Sequence, residues 1–564
     1  MVNPFVVRTG SLSALAILGL LAGLSPGAAA TLAQAMPLIS SIDPPLPLEE
    51  ELPPEPILEM ETPGLPAPEV PAPAPPAQVL VERLVVEGST VFSEAELAAA
   101  VAPFEGRLLT LDDLQQAADA VTQLYLNGGY LTSEAVVPPQ EVEDGQVRLR
   151  VIEGFLEAIR VEGSDRLTDY VRRRVALAGS APVNQARLED QLRLLQTDAL
   201  FDNVEAGLRQ GETEGGSILT VRVSEAPAFS GSIGLDTLSP RSVGQVRTGA
   251  TLRYQNLAGL GDRLQASAYR STTGGAYAYD LSYQIPITPQ NGTLLLRLAP
   301  NNYRITDTSL PEFALGLRGS ADSYEVVVRQ PVIRTIDEEF ALSAGFRYRQ
   351  GSTLLLGFIT PPTVTSVFSF GQDYVRRDTS GAWGLQSQFR LGTGLFNASV
   401  APAGPGAQFW SWQGQVQRWQ VLSPNHRLLL QGSVQLTPDS LLGSEQFVLG
   451  GAQSVRGYYQ NQRFGDNGLR FSIEDYITLQ RDNNGRPITR LIPFFDVGYV
   501  WATDPIRAAP RQNWMVGTGL ALDAELLDNL SARVDFGVPL VTLDELPSDR
   551  PSGLRIYVDM RYRF

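Results

Sequence analysis

Leu554-Arg-Ile-Tyr-Val-Asp-Met-Arg-Tyr-Arg-Phe564 closes the chain, and its reading decides the fold. Leu554, Ile556, Val558, Met560, Tyr562 and Phe564 fall on one face of an extended strand. Arg555, Tyr557, Asp559, Arg561 and Arg563 fall on the other. So strict a period of two puts one face against something apolar and the other against water. A half-buried strand of a soluble sandwich would alternate in the same way. In an outer-membrane barrel the same strand would be the closing one, its terminal aromatic in the interfacial girdle.

Working outward, about sixteen segments between Phe229 and Phe564 alternate in this manner, each near the roughly 9–11 residues that a tilted spanning strand needs. Trp410–Gln417 is the clearest. Trp410, Trp412, Gly414 and Val416 point one way; Ser411, Gln413, Gln415 and Gln417 point the other. A row of glutamines makes a poor core face and a good wall for a water-filled lumen. An even number of strands, polar inside and apolar outside, is the outer-membrane pattern. The fold expected for residues 227–564 is therefore a membrane β-barrel of about sixteen antiparallel strands.

The N-terminal end agrees with export. Arg8 is followed by the short apolar run Ser11–Leu24 and by small residues up to Ala35, the layout of a signal peptide over residues 1–35. That apolar run is shorter than the roughly 20 residues of a spanning helix. Residues 36–78 are dominated by proline and acid and read as a disordered, semi-rigid linker.

Between linker and barrel the sequence repeats itself. Residues 79–153 read as strand, two helices, two strands. Ser93-Glu-Ala-Glu96 opens the first helix as a capping box, and Leu114, Ala118, Val121 and Tyr125 recur at helical spacing on the second. Residues 154–226 repeat the order, and Val161-Glu-Gly-Ser164 echoes Val86-Glu-Gly-Ser89. Two α+β modules are expected.

Composition excludes several functions. The 564 residues carry a formal net charge of −17, contain no cysteine and have one histidine, His426. A nucleic-acid binder would need a basic face. No disulfide, thiolate metal site or cysteine nucleophile is possible. Neither a metal nor a cofactor site is expected, and no catalytic residue is assigned. A Ser-His-acid hydrolase on a barrel scaffold would depend on His426, which follows a turn-like Ser-Pro-Asn.

Six motifs then resemble a known family. Tyr125-Leu-Asn-Gly-Gly-Tyr-Leu-Thr132, Val137-Pro-Pro-Gln140 and Val147–Gly154 resemble the first of two polypeptide-transport-associated (POTRA) domains of the two-partner secretion transporters. These are the hemolysin and filamentous-adhesin activation/secretion proteins of the outer-membrane insertase superfamily. In the barrel, Val455-Arg-Gly-Tyr458 lies between the eleventh and twelfth expected strands, followed by Gly465-Asp-Asn-Gly468 and Glu474. The resemblance implies that this connection, around residues 450–468, folds back into the lumen. It also implies that Arg456 meets Asp496 within Phe494-Phe-Asp-Val-Gly498 on the inner wall.

What the resemblance implies for function is a transporter and not an enzyme. POTRA domains in the periplasm would receive an unfolded, β-helical passenger protein. Strand addition to a POTRA sheet edge would suit varied sequences, and the barrel would be the conduit. Outer-membrane lipid is the expected surround. The terminal strand with Tyr562 and Phe564 is the expected signal to barrel-assembly machinery, and a monomer is implied. An N-terminal plug helix occurs in the family, but no convincing helix precedes the proline-rich run. Two other readings stay open: a β-barrel insertase, whose branch usually carries more POTRA domains, and a passive porin, which would need none.

Overall fold

The computed structural model describes residues 58–60, 78–401, 404–504, 512–543 and 553–564. The expected signal peptide and the interval where a plug helix would lie are outside the described residues. The chain divides into two compact units, an α+β part and a barrel.

The α+β unit contains two modules of one topology. In the first, β2 (Val79–Val81) and β4 (Arg107–Leu109) form a small ribbon. β3 (Arg83–Glu87), β5 (Glu134–Val136) and β6 (Gln146–Ile152) form a sheet in the order β3-β6-β5, with β3 parallel and β5 antiparallel to β6. The single strand expected at the start of residues 79–153 is therefore two, because Val81 pairs with Arg107 while Arg83 onward pairs with β6. Helices α1 (Glu94–Val101) and α2 (Leu111–Asn127) start at capping boxes on Ser93 and Thr110. Gly129, at φ +79°, ends α2 in the left-handed region. Leu114, Ala118, Val121 and Tyr125 are buried with Leu97, Val147 and Leu149 in the module core. The Tyr125 hydroxyl lies 2.6 Å from Ser89 Oγ and 2.8 Å from Glu153 Oε1. Burial pushes its pKa up to about 12. This first motif tyrosine is a core tie that joins helix to sheet.

The second module has β7 (Phe155–Glu162), α3 (Thr168–Val175), α4 (Gln185–Gln196), β8 (Phe201–Gln210) and β9 (Gly216–Glu225). Its strands take the same order, β7-β9-β8, with the same directions. The echoed sequence has a physical cause. Gly88 and Gly163 both sit at φ +92°, and a Cβ on either would meet the backbone carbonyl of Val151 or Val223 on the third strand. Only glycine fits both the dihedral and the approach.

One expectation needs correction. The linker reading of residues 36–78 is not disordered throughout: β1 (Leu58–Met60) is a strand. It pairs parallel with β8, Leu58 beside Ala206 and Met60 beside Leu208, so the second sheet has four strands in the order β1-β8-β9-β7. Proline-rich composition favours extended backbone, and extended backbone can pair wherever three residues in a row keep their N–H groups.

The second unit is a closed antiparallel barrel of sixteen strands. Thr293–Leu298 with Asn301–Arg304, and Phe358–Ile359 with Thr363–Asp378, each count as one interrupted strand. The ring closes where the first strand, Phe229–Asp236, pairs with the last, Arg555–Arg563. Outward side chains are apolar and uncovered: Leu252, Val326, Phe370, Trp410, Leu520 and Ile556 among them. Along Trp410–Gln417, Trp410 and Val416 face out and Ser411 is fully buried inward. No described helix is long and apolar enough to cross a membrane; the strands make the crossing.

Candidate functional site in the barrel lumen

The eleventh barrel strand, His426–Leu436, and the twelfth, Asn467–Arg481, are joined by a connection that does not leave the barrel. Its motif residues are buried: Val455 and Tyr458 fully, Arg456 almost so. The direction of the wall side chains fixes where the connection lies. Phe471 and Phe495 are exposed on the outer face, so Ser472 and Asp496, one residue along, face inward.

Arg456 reaches Asp496 as a two-toothed fork. Nε donates to Oδ2 at 2.7 Å and Nη2 donates to Oδ1 at 2.7 Å. The Arg456 backbone N–H donates to the same Oδ2 at 3.0 Å, and Ser472 Oγ donates to Oδ1 at 2.6 Å. Further carboxylates complete the ring: Glu474 Oε1 at 2.8 Å and Asp535 Oδ1 at 3.2 Å. Arg533 shares both, at 3.3 Å from Glu474 and 2.9 Å from Asp535. The Arg456 guanidinium carbon also lies 3.5 Å from the centroid of Phe494. Charge-assisted forks shielded from bulk water are among the stronger polar contacts, and the planar guanidinium adds stacking that a lysine could not supply.

The rest of the motif seats the backbone. Gly457 is at φ +98°, and a Cβ there would fall 2.6 Å from Pro539 N. Its N–H donates to the Tyr557 hydroxyl at 2.9 Å, and that hydroxyl donates to the Tyr458 carbonyl at 2.5 Å. The Tyr458 hydroxyl donates to the Val541 carbonyl at 2.8 Å. Val455 and Tyr458 pack with Leu449, Val500, Met515 and Leu543. A Cβ on Gly498 would meet Leu449 at 2.7 Å, which explains the glycine two residues after Asp496. At the return of the connection, Asp466 Oδ1 accepts from Leu441 N–H and Oδ2 from Thr503 N–H, both at 2.9 Å. Gly465 and Gly468 leave room for Trp501 backbone and the Phe447 ring.

The structure thus brings together Val455, Arg456, Gly457, Tyr458, Phe494, Asp496 and Gly498, with Gly465, Asp466 and Gly468 at the return of the connection. Tyr562 and Phe564 stand apart, exposed on the outer face of the closing strand. His426 begins a strand, 3.2 Å from Asp475 and away from this cluster. Among the described residues no set of three or more His, Asp or Glu could hold a metal ion.

Sequence reasoning missed a second anchor. Glu445, in the short turn Gly443–Glu445 of the same connection, is buried. It pairs with Arg390, with Arg347 at 3.1 Å, and accepts from Thr365 Oγ1 at 3.3 Å. These three stand on the seventh to ninth strands. Asp535 and Tyr557 were missed as well. So was a glycine seat: a Cβ on Gly517 would fall 1.8 Å from the Arg456 carbonyl, and one on Gly537 2.6 Å from Gly457 N. The alternation could have flagged Tyr557, an aromatic on an otherwise charged face. Nothing local points to Glu445, whose partners lie 55 to 98 residues away.

Two protein families match the chain. The family described as Haemolysin secretion/activation protein ShlB/FhaC/HecB matches residues 215–524. The ShlB-type POTRA domain family matches residues 79–154. The chain is 25% identical over 488 residues to the outer membrane transporter CdiB of Escherichia coli, covering 83% of this chain and 80% of that one. It is 24% identical over 461 residues to the hemolysin transporter protein ShlB of Serratia marcescens, covering 78% of each. The solved structure of CdiB from Escherichia coli shares the fold at TM-score 0.67 and 24% identity, over 88% of this chain and 93% of that one.

Proposed function

The chain belongs to the haemolysin secretion/activation protein ShlB/FhaC/HecB family, and from that premise we propose how it works. It is an outer-membrane transporter that secretes a partner protein, with its POTRA domains in the periplasm. The POTRA part receives the passenger unfolded, since a folded β-helix would not enter a sixteen-stranded barrel whose lumen also holds a connection. The passenger crosses through the barrel and folds outside. That folding gives the movement its direction, with no nucleotide consumed. Residues 154–226 act as a second POTRA domain, supported by strand order and directions identical to the first. The barrel works as a monomer surrounded by lipid, and its closing strand with Tyr562 and Phe564 addresses the assembly machinery.

The observation that carries the reading is the fork from Arg456 to Asp496 inside a closed barrel. It fixes the connection in the passenger's path, where it can regulate passage. A passive porin would have no use for two modules built on one plan. Deleting the gene tests the reading by comparison of culture medium and outer membrane. Loss of one large exported protein supports it. Broad loss of outer-membrane proteins favours an insertase, and a defect in solute uptake alone favours a porin.

A further inference from the structure

The two POTRA-type sheets end on very different edges. In the first, β5 is three residues long, and after Val137 come Pro138 and Pro139. Short strands and prolines are how proteins blunt an edge. In the second, β8 runs for ten residues without a proline. A long proline-free edge is an invitation to pair with another chain. Here it is partly covered by β1, which spans only three residues, Leu58–Met60, beside Ala206–Leu208.

The cover cannot grow. Pro53, Pro54 and Pro56 precede it and Pro63 follows. Proline has no N–H to give to a ladder, so this segment matches at most a fraction of β8. It is nevertheless tethered to the same chain through residues 61–77, which raises its local concentration well above that of any free competitor. A short tethered strand keeps an edge closed to brief or weak contacts. It yields to a longer proline-free strand that can pair along the whole of β8.

We propose that Leu58–Met60 is a built-in cover of the β8 edge, which an extended, proline-free segment of the exported polypeptide displaces when it arrives by the strand addition that the export reading implies. The proposal rests on the export reading above, and it assigns the proline-rich region a regulatory task. The parallel pairing with β8 demonstrates that the edge accepts an added strand through main-chain hydrogen bonds, which ask little of the incoming sequence.

The absence of cysteine makes a clean test. Glu59 stands beside Gly207 in the ladder, so Glu59→Cys with Gly207→Cys can be joined by a disulfide, the Cα separation of paired strands lying within the usual range. The full chain in detergent micelles is titrated with a fluorescein-labelled twelve-residue peptide of alternating valine and threonine with lysine at both ends. The oxidised protein should bind this peptide at least tenfold more weakly than wild type, and reduction should restore binding. Glu59→Pro should bind it about threefold more tightly. Equal binding by oxidised, reduced and Glu59→Pro proteins would overturn the cover, as would weak binding that reduction does not relieve.

In cells, the oxidised pair should lower export at least tenfold against the single-cysteine controls, at equal barrel abundance. Undiminished export with the disulfide formed also overturns the cover and leaves the export reading intact. Failure of the export reading registers separately, as a culture medium unchanged by deleting the gene.

Discussion

Thr365 and Tyr557 stand on the eighth and sixteenth strands of a sixteen-stranded ring, half a circumference apart, and each hydrogen-bonds the same connection. Thr365 holds it at Glu445; Tyr557 holds it at Gly457 and Tyr458. The connection therefore crosses the lumen and is fastened on both sides. Four expectations come from this arrangement and from the modules that precede it.

Arg456→Ala should leave the barrel assembled but lower secretion strongly. Removing one partner of a poorly solvated ion pair costs about 3–5 kcal/mol, and water in the lumen lowers that. Here Asp496, Glu474 and Asp535 lose a shared cation. Arg456→Lys should fare little better, because a point charge cannot reproduce the fork on Asp496. Heat-dependent gel mobility checks assembly, and the culture medium checks export. Normal export by the alanine variant would remove the role given to the motif.

Gly517→Ala should lift the tip of the connection off the wall, since its Cβ would sit 1.8 Å from the Arg456 carbonyl. Overpacking of this kind costs about 1–3 kcal/mol. Single-channel conductance in planar bilayers should rise. Gly351→Ala is the control, because its Cβ meets nothing closer than 3.6 Å. Identical conductance in the two variants would mean that the connection does not limit the pore.

Glu445→Ala should loosen the opposite fastening. It leaves Arg390 and Arg347 with no carboxylate between them, a loss of about 3–5 kcal/mol for so buried a group. Arg390→Met in the same chain should recover part of that loss, which makes a double-mutant cycle decisive. The measurement is the temperature at which the detergent-solubilised barrel loses its compact gel band. Additive single-variant effects would rule out the pairing.

Deleting residues 79–226 should abolish capture of the exported protein yet preserve bilayer conductance. The α+β unit and the barrel have separate cores, each with its own hydrophobic clusters. Co-purification of the exported protein with the truncated barrel would count against the receiving role of the modules.

Much of this architecture was legible in the sequence because it is periodic. Period-two strands, the 3.6-residue stripe on α2 and the echo of Val86–Ser89 in Val161–Ser164 each follow from where a side chain must point. The inward connection was legible for another reason: Val455–Tyr458 and Phe494–Gly498 carry an unusual set of residue types at a telling separation, and resemblance supplied their pairing. What escaped was non-local or too short to have a period. Glu445 finds its arginines across the barrel, and a lone carboxylate in a turn looks like any solvated one. Gly517 and Gly537 read as weak points in strands until the backbone lying against them is seen. Leu58–Met60 is three residues among prolines, with no pattern to betray a strand.

The ring is sealed by five residue pairs, Ser232–Asp236 against Asp559–Arg563. A chain that stops short of Arg555 would leave not a smaller tube but an open sheet with two bare rims, whose unpaired amides hydrocarbon cannot satisfy. Membrane residence is thus all-or-none in chain length. Everything from Phe229 to Arg563 must be made before any of it can rest in the bilayer, and the strand Arg555–Arg563 carries the whole of that commitment.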